Sequence, residues 1–190
     1  MNANQRKKIE ETIDGLCENL VWAWAYFRTL AGLHEVAKTS KESLDAYPQL
    51  ISCVYHGLFD ALFLRLHHFI DGSRNAGGFP SLFKILRRYC PVDTDLMRQI
   101  EEDERRLREE ASAQKINNWR NQVVAHFTSA RNDPDFFSDN RLRLSEISGL
   151  IVLLENCLEG YSMKLLQREN DTRYPSDEVI NEVSRLLKQR

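Results

Sequence analysis

The sequence predicts an all-α protein, an antiparallel bundle of about five to seven helices, and three observations support that fold class. Only eight glycines and five prolines interrupt its 190 residues. Apolar residues recur at three- and four-residue steps along most of the chain, which places them on one face of a helix. No segment shows the two-residue alternation of a half-buried strand. We therefore expect helices and no sheet.

The first two helices are predicted over residues 4–37 and 48–70. Pro48 stands in the first turn of the second helix, and Asp71-Gly72 ends it. Because the middle of this second helix is apolar on most sides, we expect it to be the most buried element. The first helix carries one apolar stripe, formed by Ile9, Ile13, Leu16, Leu20, Trp24, Phe27 and Leu30.

Shorter elements follow before a last long helix. In order they are a glycine-rich loop over 71–80, a short helix over 81–90, a charged helix from Asp93 or Thr94, a helix over 115–128, a loop over 129–140 and a core helix over 143–168. Ser81 is expected to cap the short helix. The run EEDERRLREE predicts a solvated face on the charged helix, and the helix after it continues that one or restarts after a kink.

Two parts of the chain are distinguished by composition. Residues 1–170 are predicted to form the helical bundle, and residues 171–190 a polar linker followed by a C-terminal amphipathic helix. Trp22 and Trp24 flank Ala23 and so point to different faces, which places one in the core. The apolar surface left over, with Trp22 and Tyr26 on it, predicts a homodimer.

Charge and composition exclude several classes of protein. A net charge of −2 and a pI near 6.2 argue against a duplex-DNA binder with an overall basic surface. The N-terminus is polar, and no apolar run is long enough to cross a bilayer, so no membrane partner is expected. The four cysteines are scattered without a C-x-x-C pair, which indicates reduced thiols. We expect a cytoplasmic protein.

No cofactor and no metal site is predicted. The chain lacks a glycine-rich phosphate loop after a strand, G-x-S-x-G and H-E-x-x-H. His56 and Asp60, and likewise His67 and Asp71, lie four residues apart on the second helix. A metal in a bundle usually also needs Glu-x-x-His on another helix, which the sequence does not provide. For each pair we expect a side-chain hydrogen bond or exposure to solvent.

The segment INNWRNQVVAHFT, residues 116–128, holds the candidate chemistry. On an ideal helix, Arg120 and His126 are about 120° apart around the axis and about 9 Å apart along it, so they are not automatic neighbours. Helical geometry alone makes His126 a histidine at the edge of the core. A long arginine stem could lean across to the histidine, and a two-fold axis would bring two copies of the pair together.

Two stretches without a carboxylate surround this segment. We expect them to line one positive groove suited to phosphate groups, with chance spacing as the alternative. The first stretch, residues 72–92, carries Arg74, Lys84, Arg87 and Arg88, and the second, residues 111–132, carries Lys115, Arg120 and Arg131. Apart from Arg120, these are the predicted substrate-binding residues.

The segment WRNQVVAHF resembles the signature of the HEPN superfamily (higher eukaryotes and prokaryotes nucleotide-binding). That signature is an arginine, commonly followed by a polar residue, and then a histidine; here five residues separate Arg120 from His126, and Asn121 is the polar residue. The preceding aromatic, the Ala-His pair and the flanking loops are most similar to the abortive-infection, AbiU-type branch. The resemblance covers residues 1–170.

The resemblance implies a metal-independent endoribonuclease that acts as a symmetric dimer, with both motifs facing one cleft. His126 would transfer protons during attack of the RNA 2′-hydroxyl on the adjacent phosphate, and Arg120 would stabilise the transition-state charge. Asn121 would orient Arg120, the phosphate or the 2′-hydroxyl. The implied partners are RNA, a second copy and a neutralising antitoxin protein, in a toxin–antitoxin or antiviral defence system. Other HEPN proteins are inactive, so a non-catalytic dimerisation or nucleotide-binding module is the alternative, and an unrelated bundle is the third.

Overall fold

The computed structural model describes residues 1–39, 45, 47–73, 77–124, 134–170, 172, 181, 182 and 185, and these residues contain helices and no strand. The helices are α1 (Ala3–Thr39), α2 (Pro48–Ile70), α3 (Phe79–Tyr89), α4 (Thr94–Glu109), α5 (Ala111–Trp119), α6 (Pro134–Asp139) and α7 (Leu144–Leu166), with a π-helical turn over Arg120–Val124. The predicted all-α fold class is confirmed.

Helix α1 is the scaffold of the bundle and packs along both α2 and α7. All members of its predicted apolar stripe are buried, with at most 9% of a side chain exposed. Burying a leucine, isoleucine or phenylalanine contributes about 1.5–3 kcal/mol, so this stripe is a major source of stability. Just after α7, Gln167 adopts a left-handed conformation and Arg168 forms ion pairs with Glu10 and Asp14 of α1, which fastens the two helices together.

The prediction that α2 is the most buried helix is wrong. Its buried residues all lie in the C-terminal half, whereas Leu50 is 60% exposed and Tyr55 43% exposed. The reason is that aromatic contacts from other helices reach only the later turns: Trp119 packs on Phe59 and Phe63, and α3 contacts Phe69. Apolar periodicity shows which faces are apolar, but it does not show which of them has a neighbour.

Helix α3 begins at Phe79, so the prediction that Ser81 caps it is wrong. The cap position is Gly78, and Pro80 lies in the first turn, where a proline loses no hydrogen bond. Gly78 is needed there because a Cβ at this position would clash with the backbone carbonyl of His68. The close approach joins the end of α2 directly to the start of α3.

The boundary between α4 and α5 is a kink at Glu110, which has an extended backbone. Of the two predicted starts of α4, Asp93 is the cap, because it accepts a hydrogen bond from the backbone N–H of Leu96 at 2.8 Å. The predicted loop over 129–140 is partly wrong, because Pro134–Asp139 forms the short helix α6. A proline at the first helical position explains this helix, since its fixed φ suits a helix start.

The predicted C-terminal part, residues 171–190, lies largely outside the described residues. Thr172 is buried and donates a hydrogen bond to Glu155 at 2.5 Å, and Asn181, Glu182 and Arg185 are helical. The division of the chain at residue 170 stays a prediction. None of the helices in the described ranges has both the length and the hydropathy that a bilayer span requires.

Candidate functional site

The motif segment lies at the end of α5, and the structure describes only its first part. Trp119, Arg120 and Asn121 are described, whereas His126 lies outside the described residues. The same holds for two of the predicted substrate-binding residues, Arg74 and Arg131. The geometry of the Arg120–His126 pair therefore stays a prediction.

Trp119 fixes the motif to the bundle. Its ring makes edge contacts with Phe59, Phe63 and Phe136, with centroid distances of 5.3, 5.8 and 5.6 Å. Its indole N–H donates a hydrogen bond to the carbonyl oxygen of Asn140 at 2.8 Å. A tryptophan buries a large apolar area but needs a partner for its N–H, and both needs are met here. The residue directly before Arg120 thus joins α2, α5 and α6.

After Trp119 the helix widens into the π turn Arg120–Val124. A π turn closes its hydrogen bonds one residue later than an α-helix, so successive side chains point in different directions from those of an α-helix. The side-chain directions of an ideal α-helix therefore do not apply over Arg120–Val124. Single π turns inside helices occur frequently at functional sites, and this one begins at the motif arginine.

A chain of hydrogen bonds, which we call the amide relay, connects Arg120 to α2. The Nη1 of Arg120 donates to Oδ1 of Asn121 at 2.9 Å, and Nδ2 of Asn121 donates to Oδ1 of Asn117 at 3.2 Å. The same Asn117 oxygen lies 3.1 Å from Nε2 of His67. The relay therefore consists of Arg120, Asn121, Asn117 and His67, and it restrains the guanidinium from one side.

The relay is consistent only with a His67 that carries a proton on Nε2, because the Asn117 oxygen it contacts is an acceptor. Burial lowers the pKa of His67, and the positive charge of Arg120 lowers it further. The hydrogen bond to Asn117 acts in the opposite direction but does not cancel them. His67, only 7% exposed, is therefore a neutral donor at pH 7. It serves as a fixed hydrogen-bond partner.

Asp71 lies on the other side of His67 and faces the same positive charge. It accepts a hydrogen bond from the backbone N–H of Ser73 at 2.8 Å, so the predicted pairing of His67 with Asp71 is replaced by separate partners. Desolvation opposes ionisation of Asp71, but the hydrogen bonds from Ser73 and the positive charge of Arg120 outweigh it and lower the pKa of Asp71. Asp71 is thus a carboxylate at neutral pH.

A cleft of about 310 Å³ opens beside the relay, and its lining includes His67, Asp71, Gly72 and Asn117. It gives solvent access to the side of the relay away from the core. Across the part of the chain that the structure describes, no group of three or more His, Cys, Asp or Glu side chains is arranged to hold a metal ion. The chemistry available from the described residues is hydrogen bonding and the positive charge of Arg120.

The described substrate-binding candidates are divided between two surfaces. Arg87 forms an ion pair with Glu104 of α4 at 2.6 Å, and the Arg88 guanidinium lies 5.8 Å from the ring centre of Tyr89. Lys84 is exposed.

Lys115 faces the start of α7. Its Nζ lies 2.9 Å from the carbonyl oxygen of Arg141 and 3.1 Å from a Glu146 carboxylate oxygen. Arg87 is therefore paired with a carboxylate of α4, and Lys115 is paired with a carboxylate of α7. Each of these cations already has a neutralising partner.

The sequence did not reveal His67 and Asn117 as partners of Arg120. The sequence pattern pairs His67 only with Asp71 and gives Asn117 no role. One signal was present: Asn117 and Asn121 lie four residues apart, on the same face of a helix. The contact from α2 to this face joins residues 50 positions apart, and no local pattern predicts it.

Comparison with known proteins places the chain in a family. The family model HEPN_AbiU2, described as AbiU2, matches residues 6–186. A search of curated proteins and a search of solved structures each found no match to the chain.

Proposed function

The chain belongs to the HEPN_AbiU2 family, which confirms the resemblance seen in the sequence, and from this membership we propose that it is a metal-independent endoribonuclease. Its setting would be a toxin–antitoxin or antiviral defence system, as the abortive-infection branch implies. The observation that carries the proposal is the amide relay, which holds the motif arginine by neutral hydrogen bonds and no ion pair among the described residues. An arginine held in this way keeps its charge available for phosphate.

In the proposed reaction, His126 removes the proton of an RNA 2′-hydroxyl, and the oxygen attacks the adjacent phosphorus. The bond from phosphorus to the 5′-oxygen of the next nucleotide breaks, and that oxygen receives a proton. The products are a 2′,3′-cyclic phosphate end and a 5′-hydroxyl end. Imidazole suits this step because it titrates near neutral pH, and the guanidinium suits the phosphate because it binds two oxygens at once.

For Asn121, three roles were open, and the geometry favours the first of them: orientation of Arg120. The Asn121 carbonyl oxygen accepts from the guanidinium at 2.9 Å, while its amide nitrogen donates to Asn117. Both ends of the side chain are therefore engaged in the relay. Fixing the guanidinium before RNA arrives lowers the entropic cost of stabilising the transition state.

We propose that the active form is a homodimer, in which each motif faces a shared cleft. Exposed apolar side chains on α1 and α2 support self-association: Trp22 is 43% exposed and stacks on Tyr26, and Leu50 and Val54 are 60% and 39% exposed. Light scattering at micromolar concentration is expected to give twice the monomer mass. A monomer would count against a shared cleft. A neutralising antitoxin protein is a further proposed partner.

The second candidate function is a non-catalytic module that binds RNA or nucleotides. The amide relay favours it as well, since a held arginine binds phosphate whether or not a histidine completes the reaction. The two candidates differ in their products. Binding alone leaves RNA intact, and catalysis produces ends with a defined chemistry.

The test is incubation of the purified protein with RNA in EDTA. We expect cleavage that EDTA does not inhibit, and 2′,3′-cyclic phosphate at the new ends. RNA with a single 2′-deoxynucleotide on the 5′ side of the cleaved bond is the matched control, because it lacks the attacking oxygen and should resist cleavage. Binding without cleavage across a range of RNAs would favour the second candidate.

A further inference from the structure

We propose that a second surface of the protein, the α1–α7 groove, binds single-stranded RNA and guides it to Arg120; this inference rests on the proposed function. The groove is a cleft of about 620 Å³ between the end of α1, the first half of α2 and the connection from α6 to α7. The lining residues that matter for binding are Lys38, Tyr55, Phe59, Arg141 and Arg143. None of these was a predicted site residue.

The charge of the groove is positive. Among the described lining residues, Lys38, Arg141 and Arg143 face one carboxylate, Glu35, and Glu35 is already paired with Lys38 at 2.9 Å. Within the described ranges, no carboxylate lies at ion-pairing distance from Arg141 or Arg143, and Glu146 is tied to Lys115. Two exposed guanidiniums that no described carboxylate approaches to ion-pairing distance are suited to consecutive phosphates of a nucleic acid backbone.

The backbone that carries these arginines is fixed by the motif helix. Lys115 donates to the carbonyl oxygen of Arg141, and the side chain of Asn118 donates to that of Asn140 at 2.8 Å. The backbone N–H of Arg143 donates to the Glu146 carboxylate at 2.7 Å, which caps α7. The connection is therefore held in place before a ligand arrives, and little conformational entropy is lost on binding.

Aromatic side chains select for a single strand. Tyr55 is 43% exposed at the side of the groove, and Phe59 is half-buried within its lining. Unpaired bases stack on such rings, whereas the bases of a duplex are stacked on one another and cannot reach them. Cations for the backbone together with an exposed aromatic ring are the combination that single-strand binding proteins use.

The groove leads to the motif. Phe59 lines the groove and also contacts the ring of Trp119, with centroids 5.3 Å apart. Trp119 directly precedes Arg120. A strand that occupies the groove therefore lies against Phe59, and the ring next to Phe59 belongs to the residue before Arg120, so the groove would hold nucleotides that flank the cleaved bond.

The test is the affinity of the full-length protein for a fluorescent single-stranded RNA with 2′-O-methyl groups, which cannot be cleaved by 2′-hydroxyl attack. Affinity is measured by anisotropy over a series of NaCl concentrations. For Arg141→Glu/Arg143→Glu we expect roughly ten-fold weaker binding or more, and a plot of log K against log salt that is shallower by about 1.4, for two lost phosphate contacts. Tyr55→Ala is expected to weaken binding without changing that slope.

The matched control is Arg98→Glu/Arg105→Glu. It makes the same charge change on exposed arginines of α4, which are paired with Asp95 and Glu109. We expect affinity within about two-fold of wild type, because these charges lie on another surface and their partners already neutralise them. An equal loss of RNA affinity in the groove variant and in the control would overturn the proposed groove. Unchanged RNA binding by the groove variant would overturn it as well, and so would equal affinity of the wild-type protein for duplex RNA.

The outcome is separable from the proposed function. Because the RNA cannot be cleaved, the binding assay does not depend on catalysis. If Arg120→Lys loses cleavage while the groove variant still binds RNA fully, the proposed ribonuclease activity is supported and the proposed RNA-binding groove is wrong. If the wild-type protein cleaves no RNA but the groove variant specifically loses RNA binding, the RNA-binding groove is supported and the proposed ribonuclease activity is wrong.

Discussion

Two sets of arginines in this protein differ in what surrounds them. Several arginine side chains of α3 and α4 are paired with carboxylates: Arg87 with Glu104, Arg105 with Glu109, and Arg106 with the buried Asp103. On the motif side, Arg120 is held by an amide, and among the described residues Arg141 and Arg143 have no carboxylate at ion-pairing distance.

The difference shows why a gap in acidic residues along the sequence does not by itself make a phosphate site. Residues 72–92 contain no carboxylate, yet Arg87 of that stretch finds Glu104 on the next helix in space. A guanidinium held by neutral hydrogen-bond partners keeps its charge available to an incoming anion, whereas a guanidinium in an ion pair must first give up its partner. We therefore expect the unpaired arginines to determine RNA binding and the paired arginines to stabilise the fold.

The largest expected effect is on catalysis by Arg120→Lys. An ammonium keeps the charge but loses the planar fork that binds two oxygens and reaches Asn121, so cleavage is expected to fall by roughly 10²–10³-fold. The melting temperature should stay within a few degrees of wild type, because Arg120 is only partly buried. The matched control is Arg87→Lys, where the same change at a paired arginine is expected to preserve cleavage. Equal activity of Arg120→Lys and wild type would contradict the distinction between Arg120, which neutral groups hold, and the arginines in ion pairs.

Trp119→Ala is expected to destabilise the protein by about 2–3 kcal/mol in denaturant unfolding. Removing a large core aromatic costs about 3–5 kcal/mol, and the value is lower here because Trp119 is half-buried. Trp119→Phe keeps the contacts with Phe59 and Phe63 but removes the hydrogen bond from the indole N–H to Asn140. Its unfolding free energy is therefore expected to be lower than that of wild type by about 1 kcal/mol. Because the connection to α7 is held through Asn140, both variants should also weaken RNA binding. Unchanged stability of Trp119→Ala would show that the motif is not anchored here.

The amide relay predicts a pH dependence that comes from His67. Burial lowers its pKa in the folded protein below the value of about 6.5 that it has when unfolded, so the unfolded chain binds more protons over that interval. Stability should therefore fall as the pH drops through about 6.5 towards the folded pKa, by up to about 1.4 kcal/mol per pH unit. His67→Gln keeps an N–H donor for Asn117 and does not titrate. Its unfolding free energy should change less than that of wild type between pH 7.5 and 5.5; an identical pH profile would contradict the neutral His67.

The smallest expected effect is that of Arg87→Gln. Its partner Glu104 is partly exposed, so losing the ion pair should cost no more than about 0.5 kcal/mol of stability. Affinity for single-stranded RNA should stay within about two-fold of wild type. A large loss of RNA affinity would show that Arg87 leaves Glu104 to bind phosphate, and that the surface first predicted from the sequence takes part.

The sequence predicted the parts of the fold that depend on local signals. Pro48 and Asp71 bound α2 as expected, and the apolar stripe of α1 is buried throughout. The exposure of the first half of α2 could not be predicted, because burial depends on whether a second helix covers an apolar face. The family was recognisable from the sequence, but the contact of His67 with Asn117 and the pairing of Arg87 with Glu104 depend on how helices meet in space. The same is true of the positive groove around Arg141.

The central claim is that the WRNQVVAHF segment builds a ribonuclease, and the most direct test is the rate of RNA cleavage by His126→Ala in EDTA. The rate is expected to fall by roughly 10²–10⁴-fold, as for other general acid–base groups, while the melting temperature stays within a few degrees of wild type and RNA binding persists. A stably folded His126→Ala protein that cleaves RNA at the wild-type rate would contradict the claim.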